Sequence, residues 1–273
     1  MNHTPYRLAD LLRVMDRLRD PDTGCPWDIR QDFRSIVPST LEECYELAQA
    51  IENEDFPHVA EELGDVLFQV VFYARLGSER GLFSFATIVD TLVAKLVRRH
   101  PHVFGGGEIE GVVTDSVSVE SVKASWEAIK REERSAKSQG GIPADVPLAL
   151  PALPRAQKLQ KRASGVNFDW PDAAAVLAKL EEEIAEMREA LAAGSEPEID
   201  EEMGDILFSC VNLARRLGLD AEASLRRASG KFERRFLAME RQATAAGTTL
   251  ESLSAAQLDA LWEAAKRAER RPR

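Results

Sequence analysis

Eight acidic residues fall into two sets that share one spacing. Glu43, Glu46, Glu62 and Asp65 form the first set, and Glu183, Glu186, Glu202 and Asp205 the second. Each set reads ExxE, a gap, then ExxD, and one constant offset carries every member of the first onto its counterpart in the second. Clustered carboxylates repel one another, so gathering them gains nothing structural. A hard divalent cation supplies a reason, because Mg2+ takes oxygen ligands and favours carboxylates. The chemistry expected is therefore a metal-dependent reaction on an anionic substrate. A single such pair on an acidic helix reads as a solvated face. Two pairs at hairpin spacing, repeated in the same register, do not. Di-iron bundles combine Glu with ExxH, and no histidine follows these glutamates at that spacing.

The elements that must position these acids read as helices. Residues three apart on a helix share a face, so Glu43 projects with Glu46 and Glu62 with Asp65. Thr40 is the expected N-cap of the first acidic helix, with Glu43 completing a capping box, and that helix runs to about Ile51. A turn at Asn53–Pro57 follows. The next helix is expected over Glu61–Leu76, with Leu63, Val66, Leu67, Val70 and Val71 as its apolar side. Pro57 recurs as Pro197 and Gly64 as Gly204, at the same offset as the acids. A glycine inside a helix costs about 1 kcal/mol against alanine, which a close helix or ligand approach would justify.

An amphipathic first helix is expected over residues 6–19, carried by Leu8, Leu11, Leu12, Met15 and Leu18. Further helices are expected at 84–99 and 119–134, then at 154–163, 172–193, 198–217, 219–246 and 254–270. Strand signals are nearly absent. The chain reads as all-α, with two tandem helical units of four-helix-bundle type at 1–134 and 154–273. A Pro/Gly/Ser-containing linker at 135–153 carries four prolines: Pro143, Pro147, Pro151 and Pro154 lie in or against it.

A polyphosphate needs cations besides a metal. Lys95 and Arg99 share a helix face, and so do Trp126 and Lys130. Lys231 with Arg235 and Trp262 with Lys266 repeat these pairs in the second half, again at one shared offset. Lysine and arginine suit phosphates, and the tryptophans suit either a base or plain helix packing. His100 and His102 read as helix-end residues.

Composition narrows the partners. The 273 residues are 44% apolar and 30% charged, with a net charge of −11. A duplex-binding protein carries a basic surface, so a nucleic-acid polymer is not the expected partner. No signal peptide is evident, and no run approaches the roughly 20 apolar residues that span a bilayer. Cys25, Cys44 and Cys210 form no CxxC pair. Cys44 and Cys210 read as small core residues, and a reduced, cytoplasmic setting is expected.

Several segments resemble the MazG family of the all-α nucleoside triphosphate pyrophosphatase superfamily. In the first half they are RLRDPDTGCPWD, TLEECYELAQAI, EELGDVLFQVVFYA, RRHPHVFG and WEAIKREE. In the second they are KLQKRASGVNFDW, LEEEIAEMREAL, EEMGDILFSCVNLARRLG, KFERRF and WEAAKR. The resemblance implies Mg2+-dependent (with Mn2+ as a possible substitute) hydrolysis of ribo- and deoxyribonucleoside triphosphates to monophosphate and pyrophosphate, as nucleotide-pool house-cleaning. It also implies a homodimer that completes the bundle. It places metal ligands on Glu183, Glu186, Glu202 and Asp205, and on Glu43, Glu46, Glu62 and Asp65 in the first copy. Glu182, or Glu183, would orient or deprotonate the attacking water. Nucleotide contacts fall on Lys231, Arg235, Trp262 and Lys266, and on Lys95, Arg99, Trp126 and Lys130. Gln49 stands where relatives often carry another acid, whereas the second copy has Glu189, so the second unit is the expected catalyst. Asn167 replaces a common glycine, a position where asparagine tolerates a left-handed backbone. The alternatives are a specialised dUTP or phosphoribosyl-ATP pyrophosphatase, a nucleotide- or alarmone-binding module without turnover, and a helical scaffold.

Overall fold

The computed structural model describes residues 5–113, 117–122, 125–126, 128–129, 133, 141 and 146–269. The chain divides into two compact units, Met1–Glu132 and Glu133–Arg273. Most of the proline-containing stretch at 135–153 lies outside the described residues, and so does Lys130.

The first unit holds α1 (Leu8–Leu18), α2 (Pro26–Arg30), α3 (Val37–Glu52), α4 (Phe56–Glu79) and α5 (Phe85–Arg99). The described residues between 119 and 129 are helical. The second unit holds α6 (Ala152–Ser164), α7 (Ala173–Ala193), α8 (Glu196–Arg216), α9 (Ala221–Ala245) and α10 (Ala255–Glu269). Among the described residues the extended pairing is a lone antiparallel bridge between Phe104 and Val112. The protein is all-α, as its periodicity predicts.

Local chemistry sets the helix ends. Asp55 caps α4 by accepting from the His58 N–H at 3.3 Å, with Pro57 in the first turn. Asp172 caps α7 by accepting from the Ala175 N–H at 2.8 Å. Gly194 ends α7 at φ 69°, a left-handed geometry that suits glycine and lets α8 fold back at once. The expected cap at Thr40 is displaced. Pro38 opens α3 a turn earlier, since proline has no N–H to satisfy there and its φ is already helical. Thr40 instead donates to the Ile36 carbonyl at 3.0 Å and meets the Tyr73 hydroxyl at 3.0 Å.

In the first unit α1 and α5 pack on α4, and α3 pairs with α4 as a hairpin. Met15, Ile36, Val71, Phe72 and Leu76 form the core, flanked by Leu11, Leu12, Phe33 and Phe68. In the second unit α7 and α8 make the matching hairpin, α6 and α9 pack on α8, and α10 lies along α9.

One side of each hairpin is left uncovered. Val71 is buried, but Leu63, Leu67 and Val70, expected on the same apolar side, are exposed. Met203 and Leu207 are exposed on α8. Cys44 and Cys210 are exposed rather than in the core, because they lie on hairpin surfaces that no other described helix of their unit covers. Around Gly64 and Gly204, apart from the local backbone of their own helix, no described atom comes within 4 Å of the place a Cβ would take. Helix packing within the unit therefore does not account for either glycine.

Candidate metal and nucleotide site

In the second unit α7 presents Glu183 and Glu186, one turn apart, and α8 presents Glu202 from the facing helix. Each offers a carboxylate oxygen, and the three oxygens lie within 4.8 Å of one another. Glu183 is buried, Glu202 half-buried and Glu186 exposed. Glu202 Oε2 is buried and has no hydrogen-bond partner. Burial pushes the Glu202 carboxyl above its ordinary range, and the charges of Glu186, Glu183, Asp205 and Glu201 add to the effect. Glu186 is raised as well, by burial first and then by Glu183 and Glu182, against the opposing charge of Lys179.

The first unit repeats the arrangement with Glu43 and Glu46 from α3 and Glu62 from α4, again within 4.8 Å. Burial raises the Glu43 carboxyl, followed by the charges of Asp65, Glu46, Glu62 and Glu42. Each expected set of four thus places three members together. Asp65 and Asp205 stand outside the two close sets but act on them through their charge.

The donor sets fit a hard cation. Every ligand atom is a carboxylate oxygen, the class that Mg2+, Ca2+ and Mn2+ prefer. The orphaned, buried Glu202 oxygen has an acceptor's lone pairs and no donor to use them, which a cation would remedy. Glu182, Glu183, Glu186, Glu202 and Asp205 supply the acids here, and Glu42, Glu43, Glu46, Glu62 and Asp65 supply them in the first unit.

Two nitrogen side chains, Lys179 and His58, reach these acids without having been singled out in the sequence. Lys179 Nζ lies 2.7 Å from Glu182 and 2.8 Å from Glu183. Its pKa is driven well up, by Glu182 first and then by Glu183. His58 Nε2 lies 2.6 Å from the buried Glu62. Lys179 and His58 each sit four residues before the buried glutamate they meet, so the opposite-charge i, i+4 pattern was the available signal.

The expected nucleotide-contacting residues form a separate cluster. Arg235 donates to Glu269 at 2.7 Å, and its guanidinium lies 5.6 Å over the Trp262 ring. Phe232 packs against Trp262 at 5.4 Å, so the tryptophan holds α9 against α10. Lys266 pairs with Glu263, and Lys231 is exposed on α9. Among the described residues no hydrogen bond or ion pair joins this cluster to Glu183, Glu186 or Glu202. In the first unit Lys95 and Arg99 are half-buried on α5. Trp126 meets the His100 ring edge-on at 5.0 Å, and His100 Nδ1 sits 2.6 Å from the Leu96 carbonyl, which fixes it as a helix-end residue.

The protein is an all-α chain of two units, each gathering three acids between paired helices into a group that could hold a metal ion. Known proteins agree in detail. The family model for the MazG nucleotide pyrophosphohydrolase domain matches residues 31–104 and 172–236, which contain both acid sets. Nucleoside triphosphate pyrophosphohydrolase from Escherichia coli strain K12 is 48% identical over 261 residues, covering 95% of this chain and 97% of that protein. The nucleoside triphosphate pyrophosphohydrolase/pyrophosphatase MazG of Thermotoga maritima is 44% identical over 267 residues, covering 97% of this chain and 98% of its own. The crystal structure of a mazG-related protein from Thermotoga maritima covers 45% of this chain and 99% of its own, at 22% identity and a TM-score of 0.38. The chain belongs to the MazG family.

Proposed function

We propose that the protein hydrolyses nucleoside triphosphates to monophosphate and pyrophosphate, using Mg2+ held at the second unit. The observation that carries this is the close approach of Glu183, Glu186 and Glu202, in a chain whose relatives bear that activity in their names. Bound Mg2+ would screen the triphosphate charge, polarise the reacting phosphoryl group and draw pyrophosphate off as a leaving group.

The chain's own residues divide the remaining tasks. Glu183, Glu186 and Glu202, with Asp205 beside them, hold and orient the cation. Lys179 anchors Glu182 and Glu183 and fixes their rotamers. Glu183 is committed to the close set, which leaves the exposed Glu182 carboxylate to take the proton of the attacking water. Lys231, Arg235 and Lys266 supply positive charge for the phosphates, and Trp262 positions Arg235. The first unit keeps Glu43, Glu46 and Glu62 but has Ser39 at the position that matches Lys179 in the repeat. We assign turnover to the second unit on that ground. The exposed apolar side of each hairpin favours a homodimer in which a second copy covers it. The three free cysteines fit a reduced, cytoplasmic setting.

Product analysis in 18O-labelled water tests the reaction. Attack at the α-phosphorus yields AMP carrying the label and unlabelled pyrophosphate. Release of ADP and inorganic phosphate would overturn the assignment. Mg2+-dependent nucleotide binding without any product would favour a regulatory module instead.

A further inference from the structure

We infer that the second unit holds the nucleobase of its substrate in a cavity between α6, the 166–170 loop and α8, with Gln160 and Asn212 reading the base edge. This rests on the nucleotide assignment above. The cavity measures about 470 Å3 and is lined by Leu159, Val166, Phe168, Trp170, Phe208 and the two amides. That volume falls within the roughly 300–1,000 Å3 of small-molecule sites.

Gln160 and Asn212 are 4% and 2% exposed. Gln160 donates through Nε2 to the Phe208 carbonyl at 2.8 Å, which fixes the amide's orientation. Its Oε1 is then buried with no partner. Leaving such an acceptor unmet costs about 1–3 kcal/mol, so it calls for a ligand N–H. Asn212 accepts on Oδ1 from Arg215 at 3.0 Å, so its NH2 points away from that guanidinium. Both amides line the cavity, beside Phe168, Trp170 and Phe208. A base edge presents the complementary N–H and ring or carbonyl acceptor, and its face stacks on aromatics.

The cavity lies further along α8 than the acids. Asp205 and Asn212 are two turns apart and share a face. A rise of about 1.5 Å per residue puts Phe208 about 4.5 Å and Asn212 about 10.5 Å beyond Asp205.

The first unit lacks this site. Phe72, the counterpart of Asn212 in the register of the acid repeat, is 0% exposed inside the apolar cluster with Met15. The buried residue of α1 is Met15, and that of α6 is Gln160. At these two places the first unit carries hydrocarbon and the second carries amides, although α4 of the first unit also buries Gln69 with an unpartnered Oε1.

The test is calorimetric binding to the full chain in Mg2+, using α,β-methylene-ATP and inorganic tripolyphosphate as probes. Asn212→Phe installs the residue found at the matching place in the first unit, and Gln160→Met removes the orphan acceptor with little change of volume. We expect each variant to bind the nucleotide analogue at least tenfold more weakly and tripolyphosphate as before. Equal weakening of both ligands, or unchanged nucleotide affinity, would overturn the inference. So would a change in assembly mass on light scattering, which would assign the cavity to a second copy of the chain. A wild-type protein that releases no pyrophosphate from ATP would defeat the functional assignment itself. One that does, with the variants' nucleotide affinity unaltered, would defeat only the base site.

Discussion

Replacing Asp169 by asparagine should loosen the wall of the base cavity and lower the stability of the second unit. Asp169 sits in the 166–170 loop with a side chain 13% exposed. One of its oxygens accepts from Arg215, and the other accepts from Arg216 at 3.3 Å. Arg216 also donates to the Pro171 carbonyl. Both guanidiniums already bury an Nε without a partner, so little in the protein can replace a lost carboxylate. Breaking a buried ion pair costs about 3–5 kcal/mol. Asparagine keeps one acceptor, and Arg216 is partly solvated, so we expect about 2–3 kcal/mol at pH 7. For a unit of this size about 1 kcal/mol moves the midpoint by about 2–4 °C, giving a fall of roughly 5–10 °C. The pH dependence gives a second check. Burial alone would raise the Asp169 carboxyl, but the Arg215 hydrogen bond, the charges of both arginines and the Trp170 N–H together hold it below its ordinary value. A depressed folded pKa contributes stability above the unfolded value of about 3.9 and loses it as pH falls through the folded one. The gap between wild type and Asp169→Asn in differential scanning calorimetry should therefore narrow below about pH 4. A midpoint indistinguishable from wild type at neutral pH, or a gap that does not respond to acid, would refute the clamp.

Glu202→Gln should weaken Mn2+ binding, followed by titration calorimetry, at least tenfold without lowering the metal-free midpoint, because it removes a like charge; a lower metal-free midpoint would contradict the repulsion described. Since the Glu186 and Glu202 carboxyls are raised, cation affinity should fall as pH is lowered, protons competing for the same oxygens. Lys179→Met leaves the buried Glu183 without its partner, so Mg2+ should raise the variant's midpoint by more than the wild type's; equal increments would argue against the pairing. Glu79→Gln removes the charge and one of the two acceptor oxygens that Arg19, a side chain 7% exposed, meets at 2.9 and 2.7 Å. That should destabilise the first unit by about 2–3 kcal/mol at pH 7. The Arg19 hydrogen bond lowers the Glu79 carboxyl, so this contribution is present above about pH 4.3 and lost as pH falls further, a loss that acid-titrated circular dichroism would follow. Leu67→Glu with Leu207→Glu should convert a dimer to monomer on multi-angle light scattering, and an unaltered mass would place the interface elsewhere.

The helices were legible because their apolar residues recur at helical spacing, and the acid pairs because residues three apart share a face. Which side of a helix another helix covers was not legible. Leu63, Leu67 and Val70 form as convincing a stripe as Val71 and Phe72, yet only the latter two are buried. A stripe left exposed carries the same letters as one covered by the core, and the same ambiguity misassigned Cys44 and Cys210. At Thr40 one local preference beat another, with Pro38 opening α3 before the threonine could cap it. Asp65 and Asp205 keep the same three-residue spacing as Glu43–Glu46 and Glu183–Glu186 but stand outside the close sets, so spacing alone did not tell which oxygens converge. Lys179 and His58 were readable from i, i+4 charge pairing. Gln160 and Asn212 were not, since a glutamine and an asparagine in amphipathic helices carry no signal until the cavity they border is known.

The duplicated acids show what the two units share, and the residues behind them show how they part. In the first unit α1 docks through Met15 against Phe72, a contact that gains from area and close packing. In the second α6 docks through an amide hydrogen bond from Gln160 to a helix carbonyl, leaving a cavity beside it. A void lined by apolar groups forfeits dispersion contacts, and an orphan amide oxygen forfeits hydration. The second arrangement is therefore the less stable way to close the same bundle, unless a ligand completes it. Two unmatched acceptors of the second unit, Glu202 Oε2 and Gln160 Oε1, lie on α8 and on the helix α6 packed against it. A cation would meet the first and a base N–H the second. A nucleoside triphosphate bound with its metal carries both groups in one molecule, and it could satisfy the two together.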